Sequence, residues 1–390
     1  MRSVIISDHF DGGNIQVIDS SQANDVKLAI KPDNASDFFQ WFFFRLEGEV
    51  GQRCVITIVN AGQSSYSEGW QDYQVCTSYD RQSWFRTPTQ YNGSELRFEI
   101  TLEYSRVEFA YFEPFSEQRH FDLIARSQIH PCVTHSVLGS TLDGRAMSLL
   151  AVSASKKPRH KVWMIARQHP GETMAEWFVE GFLEALLDRD NSIAWQLLQN
   201  TAFYVVPNMN PDGSVRGNLR TNAAGANLNR EWQSPSMETS PEVFLVRERM
   251  LAIGGDLFLD IHGDEVIPYN FVAGCEGNPS YDAHHQQLEI VFKETYKAVA
   301  PDFQDTHGYP KSKPGEANLA LAANWLGEQF KTLSFTIEMP FKDNDDLPNN
   351  NSGWSGRRSE QLGRDVLMPV RAALSLICNR KSGSDSNLKR

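Results

Sequence analysis

Val162-Trp163-Met164-Ile165-Ala166-Arg167-Gln168-His169-Pro170-Gly171-Glu172 is the stretch that decides the fold. Its first five residues are an unbroken apolar run, the texture of a strand buried on both faces of a sheet. Beyond Glu172, Met174, Trp177, Phe178, Phe182, Leu186 and Leu187 recur at helical spacing. The stretch therefore reads as strand, tight loop, helix. Phe203-Tyr204-Val205-Val206, Leu257-Phe258-Leu259-Asp260-Ile261 and residues 333–337 are further buried-strand candidates. Helices are expected over Pro241–Ile253, 282–299, 316–330 and 362–378. Strands alternating with helices imply the α/β class, with a sheet covered on both faces.

Upstream, the texture is different. Phe42-Phe43-Phe44, Cys54-Val55-Ile56-Thr57-Ile58-Val59 and Leu96-Arg97-Phe98-Glu99-Ile100 are short aromatic and β-branched runs. Asn60-Ala61-Gly62 and Asn92-Gly93 punctuate them as turns. No long amphipathic helix is expected before Arg126, and Trp41 with its neighbouring phenylalanines reads as sandwich core. The expected division is an all-β sandwich over 1–125, an α/β domain over 126–380 and a polar, flexible tail over 381–390.

Sites in open α/β sheets form just beyond the carboxyl ends of strands. His169 follows one such end, His262 a second, Glu338 a third, and Asn208-Met209-Asn210-Pro211-Asp212-Gly213 a fourth. His169 and Glu172, brought round by Pro170-Gly171, make three metal ligands with His262. Three protein ligands leave one zinc position open, as in catalytic rather than structural sites. Glu338 ends a strand in which Leu333, Phe335 and Ile337 alternate with Ser334 and Thr336. Beside a zinc-activated water, a carboxylate there takes a proton as general base. Each residue alone has an ordinary explanation, a hydrogen-bonded core histidine or a salt-bridged rim carboxylate. Their arrival at separate strand ends is what makes a metal-dependent hydrolase the sharper reading.

Gly217-Asn218-Leu219-Arg220 and Asn227-Leu228-Asn229-Arg230 place two arginines in a loop rich in glycine and asparagine. Arg230 with Asn229 suits a carboxylate, held by a guanidinium fork and an amide donor. Arg220 suits the oxyanion of a tetrahedral intermediate. A solvated loop charge is the alternative for each. Asp264 and Glu265 read as rim charges, and His284 and His285 as helix surface. Tyr309 has no assigned part, although a phenol on a loop can cap a substrate.

The formal charge of -12 argues against nucleic-acid and anionic-membrane partners, while leaving room for a basic pocket. No segment approaches the length of a membrane span, and residues 1–20, with Asp8, Asp11 and Asp19, do not resemble a signal peptide. The five cysteines are scattered without CxxC spacing. A reducing, cytoplasmic setting is expected.

His169-Pro170-Gly171-Glu172, Asn210-Pro211-Asp212-Gly213, Leu228-Asn229-Arg230, Asp260-Ile261-His262-Gly263 and Glu338 occur in the order found in zinc carboxypeptidases of the funnelin type, which the chain resembles. It is similar in particular to the cytosolic carboxypeptidase subfamily. That likeness runs through Gly217-Asn218-Leu219-Arg220, Phe10-Asp11-Gly12-Gly13-Asn14, Gln40-Trp41-Phe42-Phe43-Phe44-Arg45 and Ile58-Val59-Asn60, and spans Phe10 to Cys378. The resemblance implies an α/β/α sandwich around a mixed sheet, preceded by a β-sandwich. It implies a zinc metallocarboxypeptidase with one Zn2+ per chain, hydrolysing the C-terminal residue of peptides or proteins by zinc-activated water. His169, Glu172 and His262 would be the ligands, Glu338 the general base, and Arg220 the group polarising the scissile carbonyl. Asn229 and Arg230 would clamp the free C-terminal carboxylate of the substrate.

Two differences from the pattern stand out. The family usually has an aspartate two residues before the clamp asparagine, where it orients the first zinc histidine. This chain has Asn227, whose amide oxygen accepts the same hydrogen bond without a charge. Subfamily members that remove glutamate carry an arginine before the catalytic glutamate, after a Lys-Ser-Arg-x-Gly pattern. Here Lys311-Ser312-Lys313-Pro314-Gly315 precedes residues 318–323, which hold no arginine.

Three other readings use the same residues: a zinc deacylase of N-acyl amino acids, a strict deglutamylase of acidic C-terminal tails, and an idle binding module whose sandwich recruits a partner. A blocked amino acid against a free-C-terminal peptide separates the deacylase. Turnover lost on chelation separates the module.

Overall fold

A computed structural model describes residues 3–386 of the chain. Strand His160–Ala166 divides its side chains between two cores, with Val162, Met164 and Ala166 on one side and Trp163 and Ile165 on the other. That is the consequence of a period of two in a strand covered on both faces. It lies at the centre of a seven-stranded mixed sheet ordered Val133–Ser140, Ala146–Val152, Thr201–Val206, His160–Ala166, Leu257–Ile261, Leu333–Glu338, Phe271–Ala273. The four strands from Thr201–Val206 to Leu333–Glu338 run parallel, and the flanking pairings are antiparallel. Helices Met174–Leu187, Ala283–Val299, Gly356–Asp365 and Leu367–Ser386 share the first core. Pro241–Ile253 and Ala322–Phe330 share the second. The result is an α/β/α sandwich whose parallel strand ends open on one edge.

The upstream sequence forms a β-sandwich of two five-stranded sheets. One is ordered Ile5–Ser7, Phe43–Glu47, Arg106–Ala110, Val75–Ser78, Trp84–Thr87, and the other Gln16–Asp19, Val26–Ala29, Arg53–Ile58, Leu96–Thr101, Thr89–Tyr91. Phe44 and Phe109 face each other across neighbouring strands, and Phe98 of the opposite sheet packs 5.1 Å from Phe109. Trp41 is buried, as expected, and donates from its indole to the Gly12 carbonyl at 2.8 Å. The sandwich is fastened to the α/β domain. Tyr111 stacks on Phe341 at 4.4 Å, and buried Arg86 donates to the carbonyls of Phe341, Trp354 and Ser352.

Several helix expectations need correction. A twelve-residue helix, Glu117–Gln128, does begin before Arg126, includes it, and straddles residue 125. Ser116 caps it, but it buries only His120, Leu123, Ile124 and Ser127, a stripe too thin to show as apolar periodicity. The helix expected over 316–330 is confined to Ala322–Phe330, because Asn318 closes a turn within the preceding segment, its side chain accepting from Ala320 N–H and its carbonyl from Leu321 N–H. The helix expected over 362–378 is two helices, Gly356–Asp365 and Leu367–Ser386, the first capped by Ser355. The second continues through residue 381, where the tail was expected to begin, since an established helix adds polar residues at little cost. Residues 387–390 lie outside the described residues. His285 is buried rather than at the surface, closing a capping box with Asp282.

The helix that follows Glu172 is seated by a backbone-to-backbone approach. A Cβ on Gly363 would fall 2.0 Å from the Phe178 carbonyl oxygen, and one on Gly181 2.0 Å from that of Glu360. Met174–Leu187 and Gly356–Asp365 can cross so closely only because both contact points lack side chains. Gly363→Ala is expected to destabilise the protein by about 1–3 kcal/mol, the range for overpacking. A thermal midpoint equal to that of the parent would contradict this account of the crossing.

Candidate metal centre and active site

The loop that carries His169 begins with a strained residue. Arg167 has φ +58°, a left-handed conformation that turns the chain out of strand His160–Ala166. Its guanidinium offsets the strain by bonding the Pro170 carbonyl at 2.8 Å, the Phe115 carbonyl at 2.9 Å and Glu176 at 2.6 Å. Gly171 N–H donates to the Leu219 carbonyl, which docks the loop against the segment bearing Arg220. His169 and Glu172 therefore emerge from a fixed turn. His262 emerges from the neighbouring strand end, where its N–H bonds the Ile337 carbonyl.

The three side chains converge. One ligand atom from each of His169, Glu172 and His262 lies within 4.8 Å of the others, and all three residues are buried. Glu172 places one oxygen 2.6 Å from His169 Nδ1 and the other 2.8 Å from His262 Nδ1. Behind the rings, His169 Nε2 lies 3.0 Å from Asn227 Oδ1, and His262 Nε2 lies 2.9 Å from Asp260 Oδ2. These acceptors hold the proton of each neutral ring on Nε2 and leave Nδ1 as a lone pair. Two lone pairs then face one carboxylate, which is repulsive unless a cation lies between them. Two imidazoles and a carboxylate are the ligand set of catalytic zinc, and the residues fit the ion. Burial, with the charge of Arg220, pushes His169 down to about 4, so it stays a neutral donor. Against the opposing effect of burial, the positive charge and N–H donation of the two imidazoles, when protonated, hold Glu172 well below the usual carboxylate range; with neutral rings a cation between them takes that part.

Asp260 was read only as part of a motif, and the structure gives it a place. Its Oδ2 accepts from His262 and from Gln168 Nε2 at 2.7 Å, while Gln168 Oε1 accepts from the Trp232 indole at 2.8 Å. A charge inside an otherwise apolar strand run was the signal that could have found it. Asn227 Oδ1 lies 3.0 Å from His169 Nε2 and also accepts from Asn229 N–H at 3.2 Å.

Glu338 is 5% exposed at the end of strand Leu333–Glu338. Burial lifts its carboxyl well above the ordinary range, Glu172 and Asp264 push the same way, and His262 opposes them. Its Oε1 accepts from the Tyr309 hydroxyl at 3.1 Å, whereas Oε2 is buried without a partner. Tyr309 also donates to Asp264 at 2.7 Å. Sequence reasoning gave neither residue a part. Tyr309 sits 29 positions before Glu338 in a loop of no regular structure, and no local pattern announces that return. Glu265, read as rim charge, is buried, and burial pushes it up to about 8.

One cavity of about 560 Å³ is lined by all of these groups, His169, Glu172, His262 and Glu338 together with Arg220, Asn229 and Arg230. The Asn229 amide oxygen is tied to Ala322 N–H at 2.9 Å. Arg230 is anchored by a bond from its own guanidinium to the Asn229 carbonyl at 2.7 Å. The cavity extends to Lys293 and Lys311. Lys311 pairs with Glu276 at 2.9 Å and Lys293 with Glu289 at 2.6 Å. Among the described residues, no helix is long and apolar enough to cross a membrane.

Comparison with known proteins agrees with this geometry. Residues 6–112 match the family model described as the cytosolic carboxypeptidase N-terminal domain, and residues 122–353 match that of zinc carboxypeptidase. A crystal structure of a metallo-carboxypeptidase from Burkholderia cenocepacia superposes with a TM-score of 0.94 at 47% identity, covering 96% of this chain and 100% of the other. A metallo-carboxypeptidase from Pseudomonas aeruginosa, solved in complex with (2-guanidinoethylmercapto)succinic acid, superposes at 0.93 with 51% identity, covering 95% and 99%. Cytosolic carboxypeptidase 6 of Caenorhabditis elegans is 26% identical over 87% of this chain and 79% of its own length. The chain thus belongs to the zinc carboxypeptidase family, as a metallocarboxypeptidase that carries the cytosolic carboxypeptidase N-terminal domain.

Proposed function

We propose that the protein removes single residues from the free C-termini of peptides, with Arg230 and Asn229 holding the terminal carboxylate and Glu338 acting as general base. The observation that carries this reading is the cavity itself. It gathers in one space a guanidinium and an amide suited to a carboxylate, a buried glutamate with an unpartnered oxygen, and the metal triad. A zinc ion held by His169, Glu172 and His262 supplies Lewis acidity for a carbonyl and for an attacking water. The remaining work falls to side chains. Arg230 and Asn229 fix the chain terminus, so that only the last peptide bond reaches the centre. Arg220 stabilises the negative charge that develops on the scissile carbonyl oxygen. Glu338 accepts the proton of the attacking water and returns it to the leaving amine, with Tyr309 closing the site over it.

The lining of the cavity supports a terminal residue broader than glutamate. Residues 318–323 contribute no arginine, and the two lysines that reach the cavity are each matched by a glutamate. The ligand of the Pseudomonas aeruginosa relative carries two carboxylates and a guanidinium. The cavity of this chain is lined by Arg220 and Arg230 and by Glu276, which is paired with Lys311. A cytoplasmic setting is part of the proposal, supported by free thiols at Cys54, Cys76, Cys132 and Cys275.

Free and amidated peptides test the clamp. The parent is expected to release one residue from a free-C-terminal peptide and none from its amide or from an N-acyl amino acid, read by mass spectrometry. Arg230→Ala should raise KM for the free peptide by about tenfold to a hundredfold, the loss of a charge-assisted fork. It should leave inhibition by the amidated peptide nearly unchanged. Equal weakening of both would remove Arg230 from the clamp.

A further inference from the structure

Arg220 is held from the neighbouring domain. Asp33, in the loop after strand Val26–Ala29 of the sandwich, is 3% exposed and points its carboxylate at the segment that carries Arg220. Its oxygens accept from Leu219 N–H at 2.6 Å, Arg220 N–H at 2.8 Å, Thr221 N–H at 2.9 Å and the Thr221 hydroxyl at 3.0 Å. Three consecutive main-chain donors on one carboxylate fix the dihedral angles of the residue between them. Asn14 and Asn34 of the sandwich extend the grip, donating to the carbonyls of Gly217 and Ala223.

The same short loop reaches the side chain. Asp33 N–H bonds the Phe38 carbonyl, closing residues 33–38 into a turn. The Arg220 guanidinium lies 5.6 Å from the Phe38 ring centroid and 5.2 Å from that of Tyr66, which lines the cavity. Among the described residues, no side chain or carbonyl accepts a hydrogen bond from this guanidinium. Aromatic faces leave its N–H groups free in the plane, where an oxyanion can take them. A carboxylate partner would have occupied the donors that the reaction needs.

We infer that the loop over residues 33–38 of the N-terminal sandwich is a positioning element of the hydrolytic site: Asp33 sets the main chain of Arg220, and Phe38 with Tyr66 sets its guanidinium. The inference rests on the reading of Arg220 as the group that polarises the carbonyl. It gives the sandwich a part in the reaction rather than in recruitment alone. Asp33 and Phe38 touch no reacting atom and act through Arg220.

A double-mutant cycle decides the matter. Arg220→Ala is expected to lower kcat by about 10²–10³-fold. Asp33→Asn keeps the size of the side chain but turns an NH2 group toward main-chain donors. It should lower kcat by about tenfold or more, with KM within about threefold of the parent and zinc still at one per chain. The Asp33→Asn/Arg220→Ala protein should match Arg220→Ala alone, because a displaced arginine and a missing one are equivalent. If Arg220→Ala keeps the parental kcat, the reading of Arg220 and this inference both fall. If Arg220→Ala is crippled while Asp33→Asn keeps its kcat, or the two losses multiply, only this inference falls. Should Asp33→Asn not fold, Phe38→Leu replaces it in the cycle. A loss of about threefold that vanishes in the Arg220→Ala background supports the inference, and an unchanged kcat in Phe38→Leu overturns it.

Discussion

Glu338→Gln is expected to lower kcat by about 10²–10⁴-fold, the usual contribution of a positioned general base, while KM for a free-C-terminal peptide moves less than about threefold. The amide keeps the shape of the side chain and the acceptor that Tyr309 uses at 3.1 Å. What it loses is the capacity to bind a proton. Burial lifts the Glu338 carboxyl well above the ordinary range, which favours its taking up a proton. Its Oε2 is buried without a partner, so nothing in the protein competes with a substrate water for that lone pair. Zinc content should remain at one per chain, because Glu338 is not among the three converging ligands. Steady-state kinetics with metal analysis on the same preparation make the measurement. A variant with kcat within tenfold of the parent would take Glu338 out of the mechanism. A variant without zinc would instead place it among the ligands.

The parts of this arrangement that could be read from the sequence are those written in local patterns. The four parallel strands were legible because a strand covered on both faces must be apolar throughout. His169, Glu172, His262 and Glu338 stood out together, because the ordinary explanation open to each alone does not account for their arrival beyond separate strand ends. Edge strands such as Val133–Ser140, with partly exposed side chains throughout much of their length, carry no comparable signal. The Glu117–Gln128 helix was hidden in a mostly polar stretch, whereas the break at Val366 between the last two helices had a local mark, Pro369 in the first turn of the second helix, that the apolar periodicity running across it obscured. Contacts remote in sequence were illegible for a different reason. Asp33 binds Arg220 N–H across 187 positions, and neither residue is unusual where it stands. Gln168 lies inside the quoted stretch, yet its bridge from Trp232 to Asp260 depends on the packing of two other segments. Asn227 was legible only against a family pattern, and the structure gives it the geometry of the expected acceptor without the charge.

Glu172→Gln should leave less than about a tenth of a zinc per chain and no measurable turnover, with a thermal midpoint that no longer responds to zinc. Both oxygens of Glu172 are engaged, one with each histidine, and Oε2 also accepts from Gly263 N–H at 3.1 Å. An amide retains one acceptor and substitutes a donor for the other, so the variant still fills the space between the rings. It loses the negative charge that makes the pocket select a dication. The parent, by linkage, gains about 2.7 kcal/mol of stability when free zinc is a hundred times Kd, and loses it on chelation. The competing account makes the cluster a buried ion pair. There His262 is protonated, with Asp260 and Glu172 raising it well above the ordinary imidazole range against the effect of burial. A protonated Nδ1 cannot bind a metal, and that account predicts a parent midpoint indifferent to both zinc and chelator. Scanning calorimetry of the two proteins, with zinc and with chelator, therefore separates the accounts. A zinc-dependent rise in the parent but not in Glu172→Gln supports the metal triad. A parent midpoint indifferent to zinc and chelator, or stoichiometric zinc in the variant, would refute it.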